Sequence, residues 1–244
     1  MSHSLFISDL HLCSTRPAVT AAFIEFLKNE ASFADQLYIL GDLFEYWAGD
    51  DDITDPHHQD VVQALKHVRD RGTRTFFMHG NRDFLLGTSF AQQSGIALMQ
   101  DPAQLELHGW KVLLSHGDAL CMDDIEYQKF RQQVRDENWQ KAFLGQPLSA
   151  RKAQIEALRT RSESEKSAKE ASIMDVNNAA VEEIIRQYDY PQLLIHGHTH
   201  RPACHALLID GHSCERWVLG DWYDQGSCLR LDASGCTTQG IPIP

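Results

Sequence analysis

The sequence predicts an α/β fold built on a parallel sheet, with a second sheet formed by the later part of the chain. Three apolar runs, at 5–7, 37–40 and 75–78, have the length of buried strands. Amphipathic helical patterns separate them; the first begins near Pro17 and the second ends at Gly72. Strands that alternate with helices are typical of parallel pairing. We predict one domain over residues 1–244.

Each predicted helix keeps its apolar residues on one face, at the spacing of a 3.6-residue turn. These residues are Val19, Ala22, Phe23, Phe26 and Leu27 in the first helix, and Val61, Val62, Leu65 and Val68 in the second. Further on, a hairpin is predicted to turn at His108-Gly109. Later apolar runs predict strands at 193–195, 207–209, 216–219 and 228–231. We expect the strands of this second half to form a more antiparallel sheet, packed on the first.

Polar residues with metal-binding side chains follow the first three strands. Asp9 and His11 come just after the first strand, Asp42 after the second and Asn81 after the third. Ligands of parallel α/β sheets gather beyond the carboxyl ends of the strands. We therefore expect these side chains to share one site at that edge.

Three alternate histidines follow the apolar run at 193–195. Side chains of a strand alternate between its two faces, so His196, His198 and His200 would share one side if the chain stays extended. Neutral imidazole is a favoured metal ligand, and Gly197 allows a close approach of the backbone. The alternative is a polar strand end with solvated histidines.

Composition excludes several classes of protein. The net charge of −12 argues against a general nucleic-acid binder, which needs excess Lys and Arg. No apolar run approaches the roughly 18 residues of a membrane span, and no signal peptide is expected at the N-terminus. The six cysteines include no C-x-x-C pair, which indicates a reducing cytoplasm.

The stretch 124–176 is rich in Gln, Arg, Glu and Lys and is predicted to be a helical insertion that forms a cap above the site. Over 145–172 it carries six basic and four acidic residues, a local charge of +2 in an acidic chain. Two interpretations remain open. The basic residues contact an anionic substrate, or they form an ordinary solvated helical face.

Five short blocks together resemble the calcineurin-like metallophosphoesterase superfamily. They are Asp9-x-His11, Gly41-Asp42, Gly80-Asn81, His116-Gly117-Asp118 and Gly197-His198-x-His200. The resemblance implies two packed mixed β-sheets flanked by helices, an αββα sandwich. It also implies a two-metal site. By this resemblance Asp9, His11 and His198 bind the first metal, Asn81, His116 and His196 bind the second, and Asp42 bridges the two. His200 is expected near the site without binding metal.

One residue departs from the superfamily pattern. Many members have His after the Gly-Asn pair, where this chain has Arg82. A guanidinium clamps phosphate with two hydrogen bonds and cannot act as a general acid at neutral pH. Arg82 therefore suggests a substrate with more than one phosphate group, such as a diphosphate.

A longer pattern, from residue 5 to about 226, resembles the UDP-2,3-diacylglucosamine diphosphatase family. Its blocks are Gly41–Asp51, Gly80–Phe84, His116–Asp118 with Asp123, Asp124 and Tyr127, Met174–Asn177 and His196–Pro202. The resemblance implies hydrolysis of UDP-2,3-diacylglucosamine to UMP and 2,3-diacylglucosamine 1-phosphate in lipid A biosynthesis, with water attacking the α-phosphorus. It also implies two Mn(II) ions, and peripheral association with the cytoplasmic face of the inner membrane.

Site roles follow from the same resemblance. The catalytic residues implied are Asp42, Asn81, Arg82 and His116. The substrate-binding residues implied are Asn81, Arg82, Asp124, Tyr127, Arg159, Ser162, Lys166, Lys169 and His196. Apolar residues of the insertion line an acyl-chain site or simply pack the insertion on itself. They are Phe130, Val134, Trp139, Phe143, Leu144, Ile155 and Leu158.

Two other functions remain as alternatives. One is a two-metal phosphodiesterase or nucleotide hydrolase with a soluble substrate, and the other is a non-catalytic scaffold of the same fold. A scaffold that had lost catalysis should lack ligands, and each position of the ligand set is filled here. The acidic turn 49–52 is either a third cation site or an ordinary turn beside the site.

Overall fold

A computed structural model describes residues 2–243 apart from 167–174, and the side chains of 161–166 also lie outside the description. The strands of the described residues are β1 (Ser4–Ile7), β2 (Gln36–Leu40), β3 (Arg74–Met78), β4 (Ala97–Met99), β5 (Ala103–Leu107), β6 (Trp110–Ser115), β7 (Leu193–His196), β8 (Ala203–Ile209), β9 (His212–Val218), β10 (Gly226–Asp232) and β11 (Gly235–Ile241). The helices are α1 (Pro17–Asn29), α2 (Pro56–Asp70), α3 (Thr88–Ser94), α4 (Ile125–Val134), α5 (Glu137–Leu144), α6 (Leu148–Lys166) and α7 (Asn178–Gln187).

The first sheet has the strand order β11-β10-β1-β2-β3-β4. The pairs β1-β2, β2-β3 and β3-β4 are parallel, as the alternation of strands and helices predicts. Strand β10 pairs antiparallel with β1, where Leu5 lies opposite Arg230. The assignment of the 228–231 strand to the second sheet was therefore wrong. The local apolar pattern of that strand is the same in either sheet, so only its partner decides where it lies.

The second sheet has the order β5-β6-β7-β9-β8. The hairpin β5-β6 turns at His108 and Gly109, as predicted, and β8-β9 is also antiparallel. The central pairs β6-β7 and β7-β9 are parallel, so the sheet is mixed rather than mainly antiparallel. Strand β7 lies in the middle, which explains its unbroken apolar run and its complete burial.

The two sheets pack face to face, and helices cover their outer faces. Successive residues of β1 show the alternation: Phe6 belongs to the core between the sheets, whereas Leu5 and Ile7 pack under helices α1 and α2. Helix α7 covers the second sheet, with Val181 and Ile185 buried against it. This is the predicted αββα arrangement.

The elements that position the site begin and end near the predicted residues. Helix α1 starts at Pro17, and α2 starts after Asp55, whose side chain accepts a hydrogen bond from the backbone N–H of His57. Helices α4, α5 and α6 lie between β6 and β7, within the predicted insertion. No described helix is both long enough and apolar enough to cross a membrane. That 124–176 forms a separate substrate-binding cap stays a prediction.

Candidate active site

The loops that follow β1 and β2 are joined by backbone hydrogen bonds. The N–H of Asp9 donates to the carbonyl of Gly41 (3.1 Å), and that of His11 donates to the carbonyl of Asp42 (2.9 Å). Asp9, His11 and Asp42 all have φ between +50° and +57°, a region that non-glycine residues seldom adopt. This tight turning directs three side chains of neighbouring loops into one buried place.

Glycine is required where these loops approach the next one. A Cβ atom on Gly41, whose φ is +88°, would lie 2.5 Å from Nδ1 of His116 and 2.6 Å from the backbone of Gly80. Such distances are far below van der Waals contact. Glycine is therefore needed in both the Gly-Asp and the Gly-Asn block, because the backbones of the two loops pack directly against one another.

The carboxylate of Asp83 holds these loops in place. It is buried and accepts hydrogen bonds from the backbone N–H groups of Asp42 (3.3 Å), Leu43 (2.7 Å), Phe44 (3.3 Å) and Gly80 (3.0 Å). Burial raises the pKa of Asp83. No role is predicted for Asp83 from the sequence, although its position two residues after Asn81 is one where a loop carboxylate can bond the adjacent loop.

Two groups of potential metal ligands converge on the strand ends. Asp9, His11 and His200 form one group, and Asp9, Asp42 and His116 form the other; the ligand atoms of each group lie within 4.8 Å of one another. Asp42 lies between them. Its Oδ2 is 3.8 Å from Nε2 of His11, and its Oδ1 is 3.9 Å from Nε2 of His116. This is the position that a bridging carboxylate would take.

The donor set suits divalent cations. Nδ1 of His11 is buried and has no hydrogen-bond partner among the described residues, a costly arrangement unless a ligand satisfies it. The buried Oδ1 of Asp9 faces Nε2 of His200 at 3.3 Å. Asn81 adds an amide oxygen, which lies 3.2 Å from Nε2 of His116. Carboxylate, amide and imidazole donors without a thiolate fit Mn, Fe, Zn or Co.

His196 is predicted as a metal ligand and a substrate contact, but the structure uses both of its ring nitrogens elsewhere. Nδ1 donates to the carbonyl of Gly197 (3.0 Å), and Nε2 accepts from Nη1 of the buried Arg216 (3.1 Å). With Nδ1 as the donor, Nε2 is the nitrogen that could bind a cation, and in this structure it faces the Arg216 guanidinium. Burial lowers the pKa of His196 to about 4, in keeping with a neutral ring. These contacts do not favour His196 as a ligand, and its assignment to the metal and the substrate stays a prediction.

His200 lies beside Asp9 and His11, where His198 is predicted as the third ligand of the first metal. Strand β7 ends at His196, and the chain then turns, with positive φ at His198 (+70°) and His200 (+55°). The chain therefore does not stay extended through the three histidines, and the condition for their sharing one side is not met. Nε2 of His200 lies 3.3 Å from Oδ1 of Asp9 and 3.3 Å from Nε2 of His11. His200 thus lies near the site, as expected, and within reach of the ligand atoms of Asp9 and His11; that it binds no metal directly stays a prediction.

His198 lies on the side of the second group. Its backbone N–H donates to Oδ2 of Asp9 (2.9 Å), and its ring centroid is 5.1 Å from that of His116. The ring of Tyr127, from helix α4, stacks on it at 5.8 Å. Burial lowers the pKa of His198 to about 3, so the ring is neutral and able to bind a metal.

Charge in the site is unevenly distributed. Burial raises the pKa of Asp42 to about 7. Burial disfavours the charged forms of His116 and His200, but neighbouring carboxylates outweigh it. Asp42 is the foremost of these for His116, whose pKa rises to about 9, and hydrogen bonds to Asp221 and Asp9 raise that of His200 to about 10. The site therefore holds protons that a cation would displace.

The predicted phosphate-binding residues Arg82 and Arg159 meet at Glu45. Nη2 of Arg159 donates to Oε1 of Glu45 (2.9 Å), and Nη1 of Arg82 lies 3.6 Å from the same oxygen. The backbone N–H of Arg82 donates to Oδ1 of Asp42 (2.8 Å). Both guanidiniums therefore lie at the edge of the metal-binding groups, with a carboxylate between them.

Other predicted substrate residues have structural contacts. Asp124 caps helix α4 through the N–H of Tyr127 (3.1 Å), and the Tyr127 hydroxyl donates to the buried Asp118 (2.7 Å). Asp118 also accepts from Nε of Arg131 (2.9 Å). Ser162, Lys166 and Lys169 lie outside the residues whose side chains are described.

The acidic turn holds neighbouring segments. Asp50 accepts from the indole of Trp47 (3.0 Å) and from the backbone N–H groups that open helix α3. Asp51 pairs with the buried Arg151 of α6, and Asp52 pairs with Lys152 (2.6 Å). These contacts give each acidic side chain of the turn a structural partner and tie the turn to the insertion. They favour an ordinary turn beside the site over a third cation site.

The apolar residues of the insertion divide into two sets. Val134 and Phe143 are buried, and Trp139 and Ile155 pack against the main core. Leu144 and Leu158 are exposed, and Phe130 is half-buried. Packing thus accounts for the first set, while the second remains available to a ligand.

Comparisons with known proteins agree with this geometry. The family model described as calcineurin-like phosphoesterase matches residues 3–202. The curated UDP-2,3-diacylglucosamine hydrolase of Aromatoleum aromaticum is 55% identical over 232 residues, which cover 95% of this chain and 94% of that protein. The protein of the same name from Aeromonas salmonicida is 51% identical over 93% of this chain and 88% of its own length. The similarity thus spans the sheets, the site and the insertion.

Proposed function

The chain belongs to the calcineurin-like phosphoesterase family, and we propose that it hydrolyses the diphosphate bond of UDP-2,3-diacylglucosamine. This compound is the one that the names of its curated relatives give as their substrate. The products would be UMP and 2,3-diacylglucosamine 1-phosphate, a step of lipid A biosynthesis. The observation that carries the proposal is the full-length similarity to these hydrolases, insertion included. A fold-only likeness would not extend through the insertion.

The metal ligands we propose include His200 in place of His196, and His198 moves from the first metal to the second. Asp9, His11 and His200 would hold one divalent cation, and Asn81, His116 and His198 the other, with Asp42 shared between them. We propose Mn(II) for both. When bound, such a pair supplies an activated water and Lewis-acid polarisation of the phosphoryl group.

The chain's own residues would orient the diphosphate. Arg82 follows the ligand Asn81 directly, and its backbone is bonded to Asp42, so its guanidinium can hold a phosphate beside the metals. It has no proton to give at neutral pH. The bond that breaks must therefore have a good leaving group, and a sugar 1-phosphate meets that need when water attacks the α-phosphorus.

The insertion would recognise the rest of the glycolipid. Arg159, Tyr127 and Asp124, with Ser162, Lys166 and Lys169, are proposed to contact the phosphates and the sugar. Exposed apolar residues of α5 and α6, Leu144 and Leu158, would meet an acyl chain. A lipid substrate places the enzyme at the cytoplasmic face of the inner membrane, bound peripherally.

The test is a turnover assay on UDP-2,3-diacylglucosamine in oxygen-18 water, with metal-stripped protein resupplied with Mn(II). Label in UMP and none in the sugar phosphate is the expected result. Label in the sugar phosphate would refute attack at the α-phosphorus. If the lipid is not turned over while bis(p-nitrophenyl) phosphate is cleaved, the two-metal hydrolase remains and the substrate is a soluble phosphodiester or diphosphate. If neither compound is cleaved, the scaffold alternative is favoured.

A further inference from the structure

Three guanidiniums surround one buried carboxylate at the edge of the metal-binding groups. Glu45 contacts Arg159 (2.9 Å) and Arg82 (3.6 Å) through Oε1, and Arg16 (3.5 Å) through Oε2. Oε2 is also 3.6 Å from Nδ1 of His11. We call these three arginines the arginine arc. Arg16 stands outside every motif of the sequence.

The arc has more donors than its surroundings satisfy. Nη1 of Arg16 and Nε of Arg159 are buried and have no hydrogen-bond partner among the described residues. Three positive charges face the buried carboxylate of Glu45, and the exposed Glu156 at the rim pairs with Arg159 among the residues that the structure describes. Unsatisfied buried donors with excess positive charge indicate an anion with several acceptor oxygens.

Arg16 is held in a defined position. Its Nη2 donates to the carbonyl of His11, and its guanidinium carbon lies 4.7 Å from the centre of the Tyr223 ring. That ring stacks on His11 at 5.6 Å. Nη1 of Arg16 has no hydrogen-bond partner among the described residues, although the Cys13 thiol also bonds the guanidinium. The loop of metal ligands adjoins Arg16 through His11.

We propose that Arg16 binds the second phosphate of a nucleoside diphosphate substrate, and that Glu45 is a positioning residue that holds Arg16 for this contact. The proposal rests on the proposed function. In a diphosphate the two phosphorus atoms share one oxygen, so a phosphate beside the metals places its neighbour within reach of adjoining residues. The arc adjoins the metal ligands through His11 and Asp42. A substrate with one phosphate would not reach Arg16.

The experiment compares inhibitors with one and two phosphates. Mn(II)-loaded protein hydrolyses bis(p-nitrophenyl) phosphate, and the inhibition constants of UMP and UDP-N-acetylglucosamine are measured for wild type, Arg16→Gln and Arg16→Lys. Arg69→Gln, which removes an arginine from an exposed ion pair on α2, is the matched control. Circular dichroism melting checks that each variant folds.

Arg16→Gln should raise the inhibition constant of UDP-N-acetylglucosamine about 10-fold, the loss of one charge-assisted contact, and change that of UMP less than about 2-fold. Arg16→Lys should recover part of the loss, because it keeps the charge but not the fork. Equal changes for both inhibitors, no change, or wild-type binding of the diphosphate no tighter than that of UMP would overturn the proposal.

A second series tests Glu45. Glu45→Gln should weaken UDP-N-acetylglucosamine binding at least as much as Arg16→Gln. Adding Arg16→Gln to Glu45→Gln should then cost less than about 3-fold, since Arg16 has already lost its anchor. A full 10-fold further loss would show that Glu45 does not act through Arg16. The probes need no lipid turnover, so an enzyme that ignores the lipid but shows this pattern refutes the proposed substrate and not the arc.

Discussion

His196 and His200 provide the sharpest test of the site, since the sequence favours the first as a ligand and the structure the second. We compare His196→Ala, His196→Gln and His200→Ala. His200→Ala removes a nitrogen that faces Asp9 and His11. His196→Ala instead removes the acceptor of Arg216.

The magnitudes follow from these contacts. Loss of a hydrogen bond to a charged group costs about 1.5–3 kcal/mol, and truncation of a buried ring adds a cavity. We expect His196→Ala to lower the free energy of unfolding by about 3 kcal/mol, or the melting temperature by about 6–12 °C in a chain of this size. His196→Gln should lose less, because its amide oxygen can accept from Arg216. Loss of a residue that only hydrogen-bonds a metal ligand weakens metal binding by about 10–100-fold. His200→Ala removes a proposed ligand itself and should weaken metal binding more than this.

The assay measures metal content by mass spectrometry after dialysis, and melting with and without Mn(II). Both His196 variants should retain two metals per chain and the stabilisation that metal confers, while His200→Ala should retain one. Loss of a metal from His196→Gln, with two metals kept by His200→Ala, would refute the revised ligand set and restore the one predicted from the sequence.

Three further predictions concern the loops, the insertion and protonation. Asp83→Ala leaves four backbone N–H groups without an acceptor and should lower the free energy of unfolding in urea by at least about 3 kcal/mol; a loss below about 1 kcal/mol would contradict its role as the loop anchor. Arg151→Met removes contacts to Ala48 and Asp51 and should cost about 2 kcal/mol, whereas Arg69→Gln should be nearly neutral. Metal binding near pH 7.5 should release about two protons, since the raised pKa values of His116 (about 9) and His200 (about 10) keep both rings charged until metal displaces the protons. The apparent metal affinity should then rise with pH up to these values, and calorimetry in buffers of different ionisation enthalpy measures the release; heats that do not depend on the buffer would contradict it.

Local patterns predicted much of this protein. The strands β1, β2 and β3 are evident because each contains an unbroken run of at least three apolar residues, and polar side chains follow each strand at the edge where ligands bind. Asp9, His11, Asp42 and Asn81 could be singled out for that reason, whereas His116 was implied by the family resemblance. Strand β4 has only three residues and β11 is largely exposed, so neither has a strong pattern.

The tertiary structure decided which side chains face one another. His196, His198 and His200 are equivalent in the sequence, because alternate positions of an extended chain share a side. The positive φ values after His196 break that equivalence and turn His200 towards Asp9, while Arg216 from the adjacent strand occupies His196. Pairing between distant segments likewise placed β10 in the first sheet and Arg16 beside Glu45. Strand ends and ligand types are local properties of the sequence, whereas the direction of a lone pair and the partner of a charge depend on contacts between distant residues.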